Sequence, residues 1–542
     1  MDGDATHRPE AAEDAHHHVR GVARGGALNL FGSVVYGAAN FILLAVITNE
    51  LGATRAGPLI VAIAVFTIVS RVSELGASTG LVRMISRERA LGRVEHIVPT
   101  LAVAVLPVLL LGAAFSVLVW VLAPDLAALF GKGEDETSIT DLLRVLAPFV
   151  PIVAAYTVLV QGTRGFGVMW PLVWIEKVLR AVAMPVAAFA VLRLGGSAEA
   201  VLYAWVLTSV VAGVLAVVAI AWLTGRERRG AADPDDAPPA IAWPSLARGF
   251  WAFALPRALG QSFDVAVLWF DTLFVAALIG ATDAGIYAAG TRYLLIGTFV
   301  TEAIQQAIAP KVSSLLTVRK TREAREVVGQ ATTWAAAIIW PTYLVVAAFS
   351  AVLLAVFGPS YVRAQGALVL LALGMLLAST CGPSDSVILM SGRSRHSMFN
   401  SAAALVVNVA GNLLLVPRYG ITAAGGVWAL TLIVGAGLPA LQSVMKLGIV
   451  PWSASLANVM VIALGTVGAA SALALIALGD TVAGLVAAVL VGGPAYLAFS
   501  WIRRRSIYSA ALLDGFRRRR RVLSASRASS PTEPPVEESD VA

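Results

Sequence analysis

Apolar residues recur along the chain in long, nearly uninterrupted runs between residues 27 and 502, and short polar turns separate these runs. A helix needs roughly 20 mostly apolar residues to cross a bilayer core about 30 Å thick. The runs are continuous rather than alternating, which argues against a membrane β-barrel. The pattern predicts about fourteen transmembrane helices, with the approximate limits 27–48, 57–80, 97–123, 140–161, 170–192, 199–223, 249–278, 284–309, 326–357, 365–390, 397–416, 421–445, 455–478 and 482–502. We therefore expect an all-α polytopic membrane protein.

Composition and charge support this class. Hydrophobic residues make up 58% of the chain and charged residues only 13%, whereas soluble domains are about a quarter charged. The net charge is +7, but Arg and Lys concentrate in alternate loops, as the positive-inside rule describes. We therefore expect no nucleic-acid partner, both termini in the cytoplasm and a plasma-membrane location. A single cysteine, Cys381, excludes an intrachain disulfide.

An internal repeat relates the two halves of the chain. Residues 52–57 read GATRAG and residues 280–285 read GATDAG, 228 positions later. The repeated unit contains six helices, and an even number gives both copies the same orientation in the membrane. The sequence predicts two six-helix lobes around a central cavity, followed by two additional helices. The predicted boundaries are 1–24 (disordered cytoplasmic leader), 25–223 (N-lobe), 224–247 (cytoplasmic linker), 248–446 (C-lobe), 447–502 (helices 13 and 14) and 503–542 (cytoplasmic tail).

Polar residues form stripes on helices that are otherwise apolar. Arg257, Gln261, Asp264 and Asp271 are spaced four, three and seven apart, which places them on one helical face. The same analysis gives a stripe on helix 1, formed by Asn29, Ser33, Tyr36 and Asn40. Charges at bilayer depth normally face the bundle interior or water. The stripes therefore indicate a wet cavity between the lobes.

Further charged residues occur in helices 2, 5 and 8. They are Arg71, Glu74, Glu176, Arg180, Arg292 and Glu302. Arg71 with Glu74, and Glu176 with Arg180, are close enough in sequence to form ion pairs within one helix. Arg257 and Arg292 have no such intrahelical partner, so they are the stronger functional candidates, with Asp264 and Asp271 as alternative interhelical partners.

Enzyme signatures are weak. Residues 76–80 match G-x-S-x-G, but a nucleophile elbow requires a strand-to-helix turn, and this segment ends a predicted membrane helix. The outer loops are short, whereas a membrane-embedded polysaccharide polymerase typically has a large one. The sequence therefore predicts a non-enzymatic protein without a cofactor.

Four segments carry a resemblance to a known family: RGGALN (24–29), LGATRAG (51–57), ELGASTGLVR (74–83) and FGPSY (357–361). Together with the helix count and order, they resemble the bacterial polysaccharide, or lipid-linked oligosaccharide, flippases of the MOP superfamily. That superfamily also includes lipid II flippases and MATE drug exporters. The resemblance implies two lobes around a central cavity with alternating access, and a polyprenyl-pyrophosphate carrying an oligosaccharide as cargo.

The resemblance gives the polar residues candidate roles. Arg257, Arg292, Arg71 and Arg180 would neutralise the pyrophosphate, and Asn29, Ser33, Tyr36, Asn40 and Gln261 would contact the sugars. Asp264, Asp271, Glu302 and Glu74 are candidates for binding a coupling proton or sodium ion. Expected partners are the lipid-linked oligosaccharide, membrane lipid, glycosyltransferases and a polysaccharide polymerase.

Other functions fit parts of the pattern. A MATE-like exporter of drugs or organic cations would share the lobes but would favour a cavity richer in Asp and Glu. A lipid II flippase would share both the lobes and the anionic cargo, and a purely structural scaffold would not need repeated polar stripes.

Overall fold

The computed structural model describes residues 8–131, 134–230 and 243–503, and over these residues it is helical without β-strands. The first half contains α1 (Arg8–Ser73), α2 (Ala77–Ala90), α3 (Ile97–Val121), α4 (Ala123–Phe130), α5 (Glu134–Leu146), α6 (Val150–Gly162), α7 (Ala181–Arg193) and α8 (Ala198–Gly230). A π-helical segment, Leu172–Arg180, leads directly into α7. The second half contains α9 (Trp243–Ile279), α10 (Ala281–Thr291), α11 (Leu294–Thr317), α12 (Thr321–Ala348), α13 (Ser350–Ala355), α14 (Gln365–Ser379), α15 (Ser384–Met390) and α16 (Ser394–Leu447). The last helices are α17 (Ala454–Ala463), α18 (Ala469–Leu478) and α19 (Val482–Ile502).

Membrane-length helices account for most of the described chain. Among the described residues, nine helical stretches are long and apolar enough to cross a bilayer. Two of them contain 60 and 53 residues, too many for one crossing of about 20 residues. Each is broken by a glycine, Gly52 in α1 and Gly420 in α16. The polytopic all-α class is confirmed, and the figure of fourteen crossings stays a prediction.

The repeated hexapeptide has a structural explanation. Gly52 and Gly280 have φ angles of 72° and 124°, a backbone region that favours glycine. A third related segment, GITAAG at 420–425, begins at Gly420 with φ 62°. The motif therefore begins with a glycine that interrupts one helix and allows the next to start.

The last glycine of each hexapeptide lies against another backbone. A Cβ on Gly57 would lie 2.4 Å from the carbonyl oxygen of Ala281, and one on Gly285 would lie 2.8 Å from the Cα of Gly57. A Cβ on Gly425 would lie 2.5 Å from the Cα of Ala367. The two copies of the original repeat thus meet each other, and we call this junction between the lobes the Gly57 contact.

The lobes meet a second time at the opposite end of these helices. Gly76, with φ 72°, lies so close to α9 that a Cβ would be 2.4 Å from the carbonyl oxygen of Ala254. Gly80 packs on the ring of Phe250. The glycines of the apparent G-x-S-x-G motif therefore serve close packing here, at a junction that we call the Gly76 contact.

Replacing Gly57 should separate the lobes at the Gly57 contact. A Cβ at this position would lie 2.4 Å from Ala281, whereas non-bonded carbons settle about 3.5–4.0 Å apart. Gly57→Leu is therefore expected to lengthen the interlobe distance by about 1 Å or more. Spin labels at Arg55 and Arg363, introduced as cysteines in a Cys381→Ala background, would report this distance. Gly437 has open space around it, so Gly437→Leu is the control. An unchanged distance in Gly57→Leu would show that this contact does not set the spacing of the lobes.

Two segments that the sequence analysis placed outside the membrane helices contain helical residues. Helix α1 begins at Arg8, so residues 8–24 are helical, whereas the sequence analysis expected a disordered leader. Ala, Glu and Arg in this segment are good helix formers and can extend the first membrane helix. The described ends of the 224–247 linker are helical too, belonging to α8 and α9. Residues 1–7, 231–242 and 504–542 lie outside the described residues.

The two additional C-terminal helices pack against the C-lobe. The hydroxyl of Tyr496 in α19 donates to the carbonyl of Ala337 in α12 at 2.8 Å. The carboxylate of Asp480 accepts hydrogen bonds from the backbone N–H groups of Ala351 and Val352, at 3.1 and 3.3 Å. These contacts attach α18 and α19 to one side of the C-lobe, away from the Gly57 and Gly76 contacts.

Candidate functional site

A cavity of about 320 Å³ lies between the lobes, among helix segments that run from the Gly57 contact to the Gly76 contact. We call it the interlobe cavity. The N-lobe contributes residues of α1, α6, α7, α8 and the π-helical segment, and the C-lobe contributes residues at the middle of α9 and at the start of α11. Six of the predicted site residues line it: Tyr36, Asn40, Arg71, Glu74, Arg180 and Arg292. The structure therefore brings together residues that are up to 256 positions apart in the sequence.

The N-lobe wall carries two charge pairs. Arg71 Nη1 lies 3.1 Å from Glu74 Oε1, and Glu74 also accepts a hydrogen bond from Ser78. Arg180 Nη1 lies 3.0 Å from Glu176 Oε1, and its Nε donates to the hydroxyl of Ser209 at 3.0 Å. Both intrahelical pairs left open by the sequence therefore form. They differ in exposure, because the Arg71 side chain is 47% exposed and the Arg180 side chain 9%.

The C-lobe wall presents Arg292 without an anionic partner among the described residues. Its Nε is buried and has no hydrogen-bond acceptor there, and its guanidinium carbon lies 5.5 Å from the ring centre of Trp269. A cation over an aromatic face is stabilised, but a buried unpaired donor is costly. Arg292 is therefore the described cavity arginine best placed to receive an anion.

The polar stripe of helix 1 contacts a lysine that the sequence analysis missed. Lys177 Nζ donates to Asn29 Oδ1 at 2.8 Å and to Ser33 Oγ at 2.7 Å. Farther along α1, Asn40 donates to the carbonyl oxygen of Tyr36 at 2.8 Å. Asn29 and Ser33 thus bind a side chain of the protein itself, whereas Tyr36 and Asn40 line the interlobe cavity. The signal in the sequence that could have identified this site was a lysine within an apolar span.

The π-helical segment explains how neighbouring charges reach different places. Residues 172–180 are wound more widely than an α-helix, and such turns often occur at functional sites. Glu176 and Arg180 line the interlobe cavity, while Lys177 reaches α1. This winding allows one short segment to serve both the cavity and the polar stripe of helix 1.

Asp271 lies inside the C-lobe rather than on the interlobe cavity. The residue is 3% exposed, and its carboxylate accepts hydrogen bonds from Asn408 Nδ2 at 2.6 Å, Asn412 Nδ2 at 3.2 Å and the Tyr287 hydroxyl at 3.4 Å. Asn412 Oδ1 is buried without a hydrogen-bond partner among the described residues. The sequence analysis missed the two asparagines, although their spacing of four within an apolar helix was a visible signal.

A small chamber of about 90 Å³ connects this cluster with the interlobe cavity. Asp271 and Arg292 both line the chamber, and Trp269 and Arg292 belong to its wall and to that of the interlobe cavity. The cluster around Asp271 is therefore adjacent to the free guanidinium. The two groups do not form an ion pair, so the interhelical pairing considered from the sequence is absent between them.

The remaining predicted residues lie elsewhere. Arg257 is exposed on α9 and does not line the interlobe cavity. Glu302 lines a second cavity of about 370 Å³ within the C-lobe. The side chains of Gln261 and Asp264 lie outside the described residues. The stripe predicted on helix 7 therefore divides, in its described part, between an exposed Arg257 and a buried Asp271.

Two family models match the chain. The polysaccharide biosynthesis protein model matches residues 22–316, and the MatE model matches residues 256–414. A search of curated protein sequences found no significant match.

Solved structures with the same fold include both flippases and exporters. A lipid II flippase, MurJ, in an inward closed conformation is 11% identical with a TM-score of 0.67, and the match covers 90% of this chain and 100% of that one. A multidrug resistance MATE family transporter in an inward-facing conformation is 17% identical with a TM-score of 0.63, and the match covers 77% and 94%. A MOP superfamily transporter from Pyrococcus furiosus, whose structure is described by a reversed polarity of its binding pocket, is 19% identical with a TM-score of 0.50, and the match covers 80% and 96%.

The helical fold, the duplicated lobes and the family matches define a multi-pass membrane transporter of the MOP superfamily. The polysaccharide biosynthesis model spans more than half of the sequence. The chain therefore belongs to the polysaccharide biosynthesis protein family.

Proposed function

We propose that this transporter flips a polyprenyl-pyrophosphate-linked oligosaccharide from the cytoplasmic to the outer leaflet of the bacterial plasma membrane, for the synthesis of cell-surface polysaccharide. The observation that carries the proposal is the unpaired guanidinium of Arg292, which lines the interlobe cavity with a buried Nε that has no acceptor among the described residues. A planar guanidinium matches two phosphate oxygens at once. A pyrophosphate would supply the negative charge and the acceptor that this group lacks.

The rest of the interlobe cavity supports a glycan beside the pyrophosphate. Tyr36, Asn40 and Thr157 present hydroxyl and amide groups to it, and such groups hydrogen-bond sugar hydroxyls. Arg71, which is about half exposed, adds a second cation that can turn toward the cargo. Arg180 is held by Glu176 and Ser209, so it acts mainly by positioning the wall. Exposed Arg257 does not line the interlobe cavity, so its proposed role is in the entry of the cargo.

The cluster around Asp271 is the proposed site of a coupling ion. The Asp271 carboxylate and the amide of Asn412 meet there in a buried position, and the amide oxygen of Asn412 has no partner among the described residues. Oxygen ligands of this kind suit a small hard cation or a proton. The small chamber brings this site next to Arg292. Occupation of Asp271 would thus change the electrostatic field at the group that holds the cargo.

A MATE-like exporter of organic cations is the second candidate. Glu74, Glu176 and the rings of Phe66, Trp205 and Trp269 line the same cavity, and aromatic faces bind cations. However, both glutamates are already paired with arginines, which leaves the charge of Arg292 uncompensated. This balance favours an anionic cargo. A lipid II flippase would also carry an anionic cargo, and the choice between glycans requires the experiment below.

Reconstituted transport distinguishes these functions. In proteoliposomes, we expect the protein to move a fluorescent polyprenyl-pyrophosphate oligosaccharide across the bilayer, measured by its protection from a membrane-impermeant quencher. Labelled lipid II and a fluorescent organic cation serve as competing substrates in parallel vesicles. Transport of the cation without the lipid-linked glycans would overturn the proposal. Movement of lipid II alone would also overturn it and would indicate a lipid II flippase. Glycosyltransferase and polymerase genes beside the coding sequence would add support for the proposed pathway.

A further inference from the structure

A groove of about 380 Å³ lies on the N-lobe between α3, α6 and α8, separate from the interlobe cavity. We call it the rim groove, and its defining residues are Val98, Leu101, Leu159, Ile220, Thr224 and Arg228. Val98 is 47% exposed, as expected for an apolar side chain that faces lipid. The groove therefore opens toward the bilayer rather than toward the transport path.

The lining of the groove changes from apolar to polar along α8. Its α8 lining runs from Val217 to Arg228, about 16 Å along a helix that rises about 1.5 Å per residue. The lining is apolar up to Ala221 and then presents the hydroxyl of Thr224 and the guanidinium of Arg228. An apolar trough that ends in a cation has the same polarity profile as one phospholipid, with acyl chain at one end and phosphate at the other.

Thr224 is a second observation, beside the polarity of the groove, that indicates a ligand. The residue is 5% exposed, and its hydroxyl is buried without a hydrogen-bond partner among the described residues. Buried hydroxyl groups are nearly always satisfied. Arg228 likewise has no acidic side chain of a described residue within ion-pair distance, whereas nearby Glu227 is paired with Arg89.

We propose that the rim groove is a binding site for an anionic phospholipid, with the phosphate at Arg228, an ester or phosphate oxygen accepting from Thr224, and an acyl chain along Leu101 and Leu159. The argument for a lipid occupant is the bilayer-facing position of the groove, and the argument for an anionic one is the uncompensated guanidinium. Basic pockets between membrane helices bind anionic headgroups in this way. The proposal does not depend on the identity of the transported substrate.

Native mass spectrometry of the delipidated full-length protein tests the site, with phosphatidylglycerol and phosphatidylcholine as probes. We expect preferential retention of phosphatidylglycerol and about tenfold weaker retention in the Arg228→Gln/Thr224→Val double variant, because charge-assisted hydrogen bonds are lost. Arg226→Gln is the matched control, because it removes the same charge two residues away. The guanidinium of Arg226 stacks on Trp222, and neither residue lines the groove. Equal retention of both lipids, or equal losses in Arg226→Gln and in the Arg228→Gln/Thr224→Val double variant, would overturn the proposal.

A thermal assay distinguishes a loss of lipid binding from a loss of folding stability. Without added lipid, Thr224→Val should have the same melting temperature as the wild type or a higher one, because it removes an unsatisfied buried hydroxyl. Phosphatidylglycerol should then raise the melting temperature of the wild type more than that of the variant. A large loss of stability in the lipid-free Thr224→Val protein would instead indicate a structural role for the hydroxyl and would contradict the proposed site.

Discussion

Arg292→Gln is expected to reduce flipping of the lipid-linked oligosaccharide by about a hundredfold or more, while leaving the amount of folded protein unchanged. Each hydrogen bond to a charged group contributes about 1.5–3 kcal/mol, and about 1.4 kcal/mol corresponds to a tenfold change. Loss of a bidentate contact therefore accounts for a factor of this size. Folding should not suffer, because Arg292 forms no ion pair with a described residue and its Nε is already unsatisfied.

The matched control for this variant is Arg144→Gln. Arg144 also lies over a tryptophan, with its guanidinium carbon 5.3 Å from the Trp120 ring centre, but it is exposed and does not line the interlobe cavity. Flipping in Arg144→Gln should match the wild type. Arg292→Lys should retain part of the activity, because lysine keeps the charge but loses the planar fork. Normal flipping by Arg292→Gln in the quencher assay would remove Arg292 from the mechanism.

The sequence contained enough information to predict the class and much of the cavity. Apolar runs of membrane length predict the all-α polytopic fold because the bilayer imposes that length. The spacing of polar residues on α1 predicted which face turns inward, and Tyr36 and Asn40 do line the interlobe cavity. The repeated hexapeptide at Gly52 and Gly280 predicted the duplication, although not that its glycines form the junction between the copies.

Other features depend on tertiary packing and were not accessible from spacing alone. Asp271 shares a helical face with Arg257 by sequence, yet one is buried among asparagines and the other is exposed. A 37-residue helix is longer than one crossing, so equal spacing does not imply an equal environment at its two ends. Likewise, the π-helical winding at 172–180 redirects Lys177 toward α1, which an ideal period of 3.6 does not anticipate.

The two halves of the site have different expected roles, which makes binding and coupling separable. Arg292 lies at the junction of the interlobe cavity and the small chamber, whereas Asp271 lines the chamber alone. A substitution at Arg292 should weaken cargo binding under all gradients. A substitution at Asp271 should instead alter the response to the ion gradient, because no cargo-sized space surrounds its carboxylate.

Asp271→Asn is therefore expected to abolish the acceleration of flipping by an imposed sodium or proton gradient, while slow equilibration of the cargo continues. Asparagine preserves the shape but removes the charge that would hold the ion. The measurement is the initial flipping rate in vesicles with and without each gradient. Asp480→Asn is the control. Asp480 also accepts two hydrogen bonds, from Ala351 and Val352, but it does not line the chamber.

Asn412→Ala provides the second variant for the coupling site. It retains the carboxylate but removes the amide whose Oδ1 is buried without a partner among the described residues, so we expect a higher ion concentration for half-maximal acceleration rather than loss of coupling. A purely structural role of the cluster predicts another pattern, in which both variants lower the melting temperature and leave the gradient response intact. That pattern would exclude Asp271 from coupling, whereas a shift in ion dependence without a loss of stability is the result that a binding site requires.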